Sequence, residues 1–206
     1  MGGRLLRTPL LLAIMLAVFA TARYEARGSA ETRFGSACGV ERWNVKVLMD
    51  REAAAAARGP AVNSTVSRLV SLHTPSQPEA LTARAAPFET TLWRVQARLV
   101  GYRLEPDSDF HVVLVDLKTG QSMLAEIPAP YCTNSPWGTA FRSARAVVES
   151  IGHHAAERLR FWWLDYHGAT PPEVTVTGVG FWDTEHGQRG ASKNGAELHP
   201  VISVSR

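Results

Sequence analysis

Apolar and polar positions alternate most cleanly in the second half of the chain. Residues 90–104 read TTLWRVQARLVGYRL: Trp93, Val95, Ala97 and Leu99 fall on one face, Arg94, Gln96 and Arg98 on the other. That period of two predicts a half-buried strand. The acidic turn EPDSD follows, then the apolar run FHVVLVDL, a Lys118-Thr119-Gly120-Gln121 turn, and the run SMLAEIP, stopped by Pro128 and Pro130. The period then changes. Phe141, Ala144, Val148, Ile151, Ala155 and Leu159 recur at steps of three and four, behind a Ser135-Pro136 start signal. This predicts a helix with one apolar stripe. VTVTGVGFW and LHPVISVS predict a fourth and a fifth strand. Gly178 and Gly180 inside the fourth mark a bend or a close backbone approach.

The first half is less regular. Residues 23–37 are small and polar and read as a flexible lead-in. Trp43–Leu48 predicts a short strand. Asp50 can cap the alanine-rich stretch that ends at Gly59-Pro60. Residues 62–72 have no clean period, and residues 73–87 carry three prolines and little apolar material, which predicts a loop or linker.

Strand, strand, strand, helix, strand, strand is the order of an OB-fold, a small Greek-key barrel with its helix between the third and fourth strands. The expected fold is therefore mainly β with one helix: a five-stranded OB-like barrel over 90–206, behind an irregular extension over 23–89. A mixed α+β sandwich is the rival. In an OB-fold, the loop after strand one and the loop after strand four flank one groove.

Composition changes this picture at the N-terminus. Arg4 and Arg7 precede the apolar run Leu10–Ala20, and Ala20-Thr21-Ala22 fits a small-x-small cleavage site. Residues 1–22 thus read as a signal peptide, too short for a comfortable membrane span, and no later stretch could cross a bilayer. The expected location is periplasmic or secreted. The whole chain has 22 basic and 19 acidic residues, a formal charge of +3. Removing Arg4 and Arg7 lowers it to +1, so a nucleic-acid partner gains little support from charge. Cys38 and Cys132 are the two cysteines. In an oxidising compartment they are expected to pair, contributing on the order of 4–5 kcal/mol in the chain-entropy picture.

The candidate chemistry gathers where the two groove loops should meet. Glu105, Asp107 and Asp109 occupy the first loop; Asp183, His186, Asn194 and Glu197 occupy or border the second. His111, Glu126 and His199 stand near strand ends on the same side. Together they form the expected ligand site. Asp109, Glu126, Asp183 and His186 are the expected ligands if a divalent cation binds, with His199 and Glu197 beside them. Imidazole with carboxylates suits zinc, manganese or iron; oxygen-only subsets suit calcium or magnesium. The bland reading remains beside it: Asp107, Asp109 and Asn194-Gly195 are ordinary turn formers, and HGQRG is not a zinc-protease motif. No GxSxG elbow and no phosphate-cradling GxxxxGK[ST] loop occurs.

The strings DSDFHVVLVD, EIPAPYC and VTVTGVGFWDTEHGQRGASKNGAELHPV together resemble a group of exported bacterial proteins to which no reaction is assigned. They share DxDxH, EIPxPxC and HGQxGxAxNGxELHPV blocks over residues 105–201. This chain departs at Ser192, where the pattern has alanine. Topology alone also resembles thermonuclease-like OB-fold phosphodiesterases. That resemblance would give Asp107, Asp109 and Glu126 a calcium-holding part and Arg142, Arg145 or Arg189 a phosphate-neutralising part. Three functions follow as expectations. The first is an exported binding module whose rim takes a polar ligand, a metal or an extended polymer. The second is a metal-dependent hydrolase. The third is a structural protein contacting an envelope component.

Overall fold

The computed structural model describes residues 38–39, 41–152, 164–165, 170–184 and 187–206. Residues 1–22, expected to be a signal peptide, the 23–37 lead-in, Ala155, Leu159 and His186 lie outside them. Trp43–Lys46 forms the short helix α1, and Ala53–Arg58 forms α2. Then come β1 (Val62–Ser64), α3 (Val66–Leu69), the long β2 (Leu92–Leu104), β3 (Phe110–Val115), β4 (Ser122–Ile127), α4 (Gly138–Gly152), the two-residue β5 (Leu164–Asp165), β6 (Glu173–Trp182) and β7 (Ala196–Ser205).

The five principal strands close into a mixed barrel in the order β2-β3-β4-β7-β6 and back to β2. All pairings are antiparallel except β4 with β7. That is an OB-like barrel. β2 closes it by serving two partners: Leu92–Arg98 pair with β6, and Arg98–Leu104 pair with β3. A register shift between Leu99 and Gly101 lets the strand turn the corner. β1 adds a parallel edge against β2. Gly180 has a packing reason. A Cβ there would come within 2.4 Å of the Phe88 carbonyl oxygen, so the close approach expected of the Gly178–Gly180 run is real.

The alternation sorts the side chains. Phe110, Val112 and Leu114 of β3, Met123, Ala125 and Ile127 of β4, and Leu198 of β7 point into the barrel core. The helix stripe Phe141, Ala144, Val148 and Ile151 joins them. Each large apolar side chain removed from water contributes about 1.5–3 kcal/mol. The residues between them on β3, β4 and β7 must face the other way. Among these are His111, Glu126, Glu197 and His199, all on the outside of the barrel wall and all buried.

The extension packs beside them: Arg42 and Lys46 lie over the Phe181 ring, which packs on His199. Residues 43–46 are helical rather than extended, which corrects the short strand expected there. Four residues are too few for a period to show. Cys38 and Cys132 form a disulfide across 94 residues, tying this segment to the end of β4. Two ion pairs fasten the rest. The carboxylate of Glu89, fully buried, accepts from both Nη atoms of Arg42 at 2.7 Å, from the Ala85 amide at 2.7 Å and from the Trp182 amide at 2.8 Å. Arg84, also buried, donates to both oxygens of Asp50 and to the carbonyls of Val45 and Glu89. The 73–87 stretch is thus a docked strap and not a free linker.

Glu89→Ala leaves the Arg42 guanidinium, 6% exposed, without its partner. The expected loss is about 3–5 kcal/mol of unfolding free energy, since breaking a buried pair strands a charge. Urea denaturation would show it; a loss below about 1 kcal/mol, the range of surface pairs, contradicts this assignment.

Candidate functional site

Glu126 stands at the centre of a polar cluster on the covered wall. Its strand, β4, lies between β3 and β7. His111 is directly opposite it on β3, and Nε2 of His111 donates to Oε1 of Glu126 at 2.7 Å. On the other side, Nδ1 of His199 donates to Oε2 of Glu126 at 2.9 Å. The same Nδ1 lies 3.4 Å from Oε1 of Glu197. Asp109, at the entry to β3, completes the group. Its Oδ1 accepts the Ala129 amide at 3.1 Å. Its Oδ2 faces Nε2 of His199 at 3.4 Å. Asp109, Glu126 and His199 each offer a ligand-type atom, and these lie within 4.8 Å of one another.

Three atoms of this cluster are buried without a hydrogen bond: Oδ2 of Asp109, Nε2 of His199 and Nδ1 of His111. Asp109 and His199 have no exposed surface at all. Buried polar atoms are almost always satisfied, and each exception calls for a cause such as a bound ion.

The titration of the cluster follows from burial and mutual charge. Burial alone would lower His111, but the Glu126 carboxylate, with Glu105 and Glu197, raises it to about 9. His199 is likewise pushed well above its usual range, against burial, by Glu126, Asp109 and Glu197. Glu126 is held well below the usual carboxylate range, because the two imidazoles outweigh its burial. Glu197 goes the other way, up to about 7, from burial and the Glu126 charge.

A cleft of about 330 Å³ opens onto this group. Its walls include Glu105, Asp107, His111, Glu126 and Asp183, together with Glu41, Lys46 and Gln188. The two loops expected to flank one groove do share it. Asp109, Glu197 and His199 sit behind Glu126, deeper in the wall. Glu105 is held by Arg103, whose Nε and Nη2 both donate to it, and lies 3.2 Å from Nδ1 of His111. Asp107 accepts the Asp109 amide at 3.3 Å. Burial first, and the Asp109 charge second, raise its pKa.

Other expected members have different places. Asn194 is a clasp: its Nδ2 donates to the Leu69 and Leu72 carbonyls and its Oδ1 accepts the Ala196 amide. Asp183 lines the mouth of the cleft but stands outside the cation-sized group, while His186 lies outside the described residues. Arg145 donates to the Ser108 carbonyl at 2.8 Å and lies over the Phe110 ring, so it shapes the first loop from behind. Arg142 is exposed.

Lys46 was not singled out by sequence. It comes from α1, inside the segment read as a strand. Its Nζ lies 5.1 Å from the centre of the Phe181 ring, which Arg42 also covers at 4.7 Å. Phe181 in turn packs on His199, ring to ring at 5.5 Å. The pairing of Cys38 with Cys132 signalled that this segment would lie nearby, without saying which side chain it would deliver.

No family model, curated protein or solved structure matches the chain. The site is therefore read from its own chemistry.

The raised groups fix the sign of a pH effect on the metal-free protein. A raised pKa stabilises the fold fully below the unfolded value and ceases to do so as pH climbs through the folded one. For Glu197 that window runs from 4.5 to about 7, and for His111 from 6.5 to about 9. Glu126 opposes them only below its ordinary 4.5. The expected result is a Tm maximum in mild acid and a fall of at least about 5 °C between pH 6 and pH 9. Calorimetry on chelator-treated protein checks it. His111→Gln should flatten the alkaline limb, and an equally steep limb in that variant would contradict the assignment.

Proposed function

We propose that this chain is an exported OB-like binding module whose covered wall holds a divalent cation, presented through the rim cleft to a polar ligand. One observation carries the reading. Asp109 and His199 turn two buried, unbonded ligand-type atoms toward each other, with a Glu126 carboxylate alongside. The Glu89 carboxylate, by contrast, accepts four donors. Two carboxylates and one imidazole suit manganese or zinc better than magnesium or calcium, which prefer all-oxygen sets. The bond from Nδ1 of His199 to Glu126 leaves Nε2 turned toward Asp109. The disulfide fits an oxidising compartment. Among the described residues no helix is long and apolar enough to cross a membrane.

The second reading is metal-assisted hydrolysis, favoured by the place of His111. It lines the open cleft while bonded to Glu126, so an imidazole borders the space that a ligand would enter. Protonated at neutral pH, it is suited to donate a proton to a leaving group.

Thermal shift of oxidised, untagged protein against calcium, magnesium, manganese and zinc tests the principal reading. At a hundredfold excess over Kd, manganese or zinc should raise Tm by about 5 °C or more. Asp109→Asn and Glu126→Gln, close in shape, should fold and lose that shift. No shift with any ion, or a shift that survives both substitutions, contradicts it.

A further inference from the structure

Lys46 is an oddly placed cation. It lines the cleft beside Glu126, His111 and Asp183. Four carboxylates, those of Glu126, Glu197, Asp183 and Asp109, act on its charge and, against burial, keep its pKa above the ordinary value. Yet Nζ makes no hydrogen bond and no ion pair with any described residue; it rests over the Phe181 ring instead. A four-carbon stem gives Nζ enough reach to settle on a neighbouring carboxylate. The other cationic groups on the cleft wall are committed: Arg103 to Glu105 through two nitrogens, and His111 to Glu126. The cleft that Lys46 and Glu126 both line is about 330 Å³, the lower end of the size range for small-molecule sites.

We infer that the ligand of this cleft is an anion with oxygen donors, bridging the cation held by Asp109, Glu126 and His199 and the ammonium of Lys46. The inference rests on the cation reading above. A divalent ion in that group would repel an ammonium sharing its cleft, and the repulsion is strong where water is excluded. An oxyanion between the two replaces it with two attractions. The unbonded Oδ2 of Asp109 and Nε2 of His199 supply the independent sign of an ion on the far side; Lys46 supplies the near side. A phosphoryl group and a carboxylate share this chemistry. If Lys46 merely neutralised the surrounding acids, an added anion would bring no gain, and losing the lysine would only relieve repulsion on the cation.

The two cases separate in a linkage experiment. Manganese is titrated calorimetrically into the oxidised protein alone, with inorganic phosphate and with malonate, free manganese being corrected for its complexation by each anion. Coupling between the sites is reciprocal, so an anion that binds with the cation must tighten the cation by the same factor. About a tenfold tightening is expected in the native protein. Lys46→Met should bind manganese at least as tightly as the native chain but lose the tightening, and Lys46→Arg should keep it. Tightening by phosphate alone identifies a phosphoryl ligand, and by malonate alone a carboxylate; either supports the inference. Manganese binding with no anion effect, or an anion effect that survives in Lys46→Met, overturns it while leaving the cation reading intact. No manganese binding in any arm overturns both.

Discussion

The site depends on one carboxylate held between two imidazoles on the strands either side of it. Glu126 can receive His111 from β3 and His199 from β7 because β4 belongs to both seams, antiparallel to one neighbour and parallel to the other. Register makes this possible. Slipping β4 by one residue would turn Glu126 into the barrel interior and bring Ile127 or Ala125 out, since successive side chains point to opposite faces. The apolar residues that fill the barrel therefore fix the polar residues outside it. Packing of Met123, Ala125 and Ile127 in the core is what aims Glu126 at its histidines.

A wall of charged residues facing water would be unremarkable. Here it is covered, and the cover sets its chemistry. The disulfide ties the extension to the segment after β4, the Arg42–Glu89 and Arg84–Asp50 pairs hold it together, and Glu89 fastens it to the Trp182 amide of β6. The two charge systems differ in kind. Glu89 accepts four donors and Arg84 reaches Asp50 and two backbone carbonyls, as a structural anchor should. The Glu126 cluster keeps unbonded atoms on Asp109, His111 and His199 in spite of complete or near-complete burial. The Glu89 network also leaves one buried atom unbonded, Nε of Arg42; the Glu126 cluster differs in turning two such atoms, on Asp109 and His199, toward each other. Burial also drives the pKa values apart, holding Glu126 down while pushing Glu197 up.

The barrel was legible because its strands are half-buried and alternate, and because a helix period interrupts them once. Its closure followed from element order. The meeting of the EPDSD loop with the loop after β6 followed from topology, and Glu105, Asp107, His111, Glu126 and Asp183 do line one cleft. Finer choices were not readable. His199 joins Asp109 and Glu126 in the cation-sized group, and nothing in its spacing marked it out from Glu197 or His111. Asn194 looked like a ligand and is a backbone clasp. The extension was the least legible part. Four helical residues carry no period, and Arg42, Arg84 and Glu89 reveal nothing locally of partners 34 to 47 residues away. Long-range charge pairing leaves no trace in spacing, so Lys46 and its covering strap came only from the structure.

The most direct measurement is an anomalous-scattering map from crystals of the oxidised protein grown with manganese. The account places one strong peak within coordination distance of Oδ2 of Asp109 and Nε2 of His199, with Glu126 beside it. A peak confined to the surface acids, or a map with density for no ion at that position while manganese binds elsewhere, would contradict it.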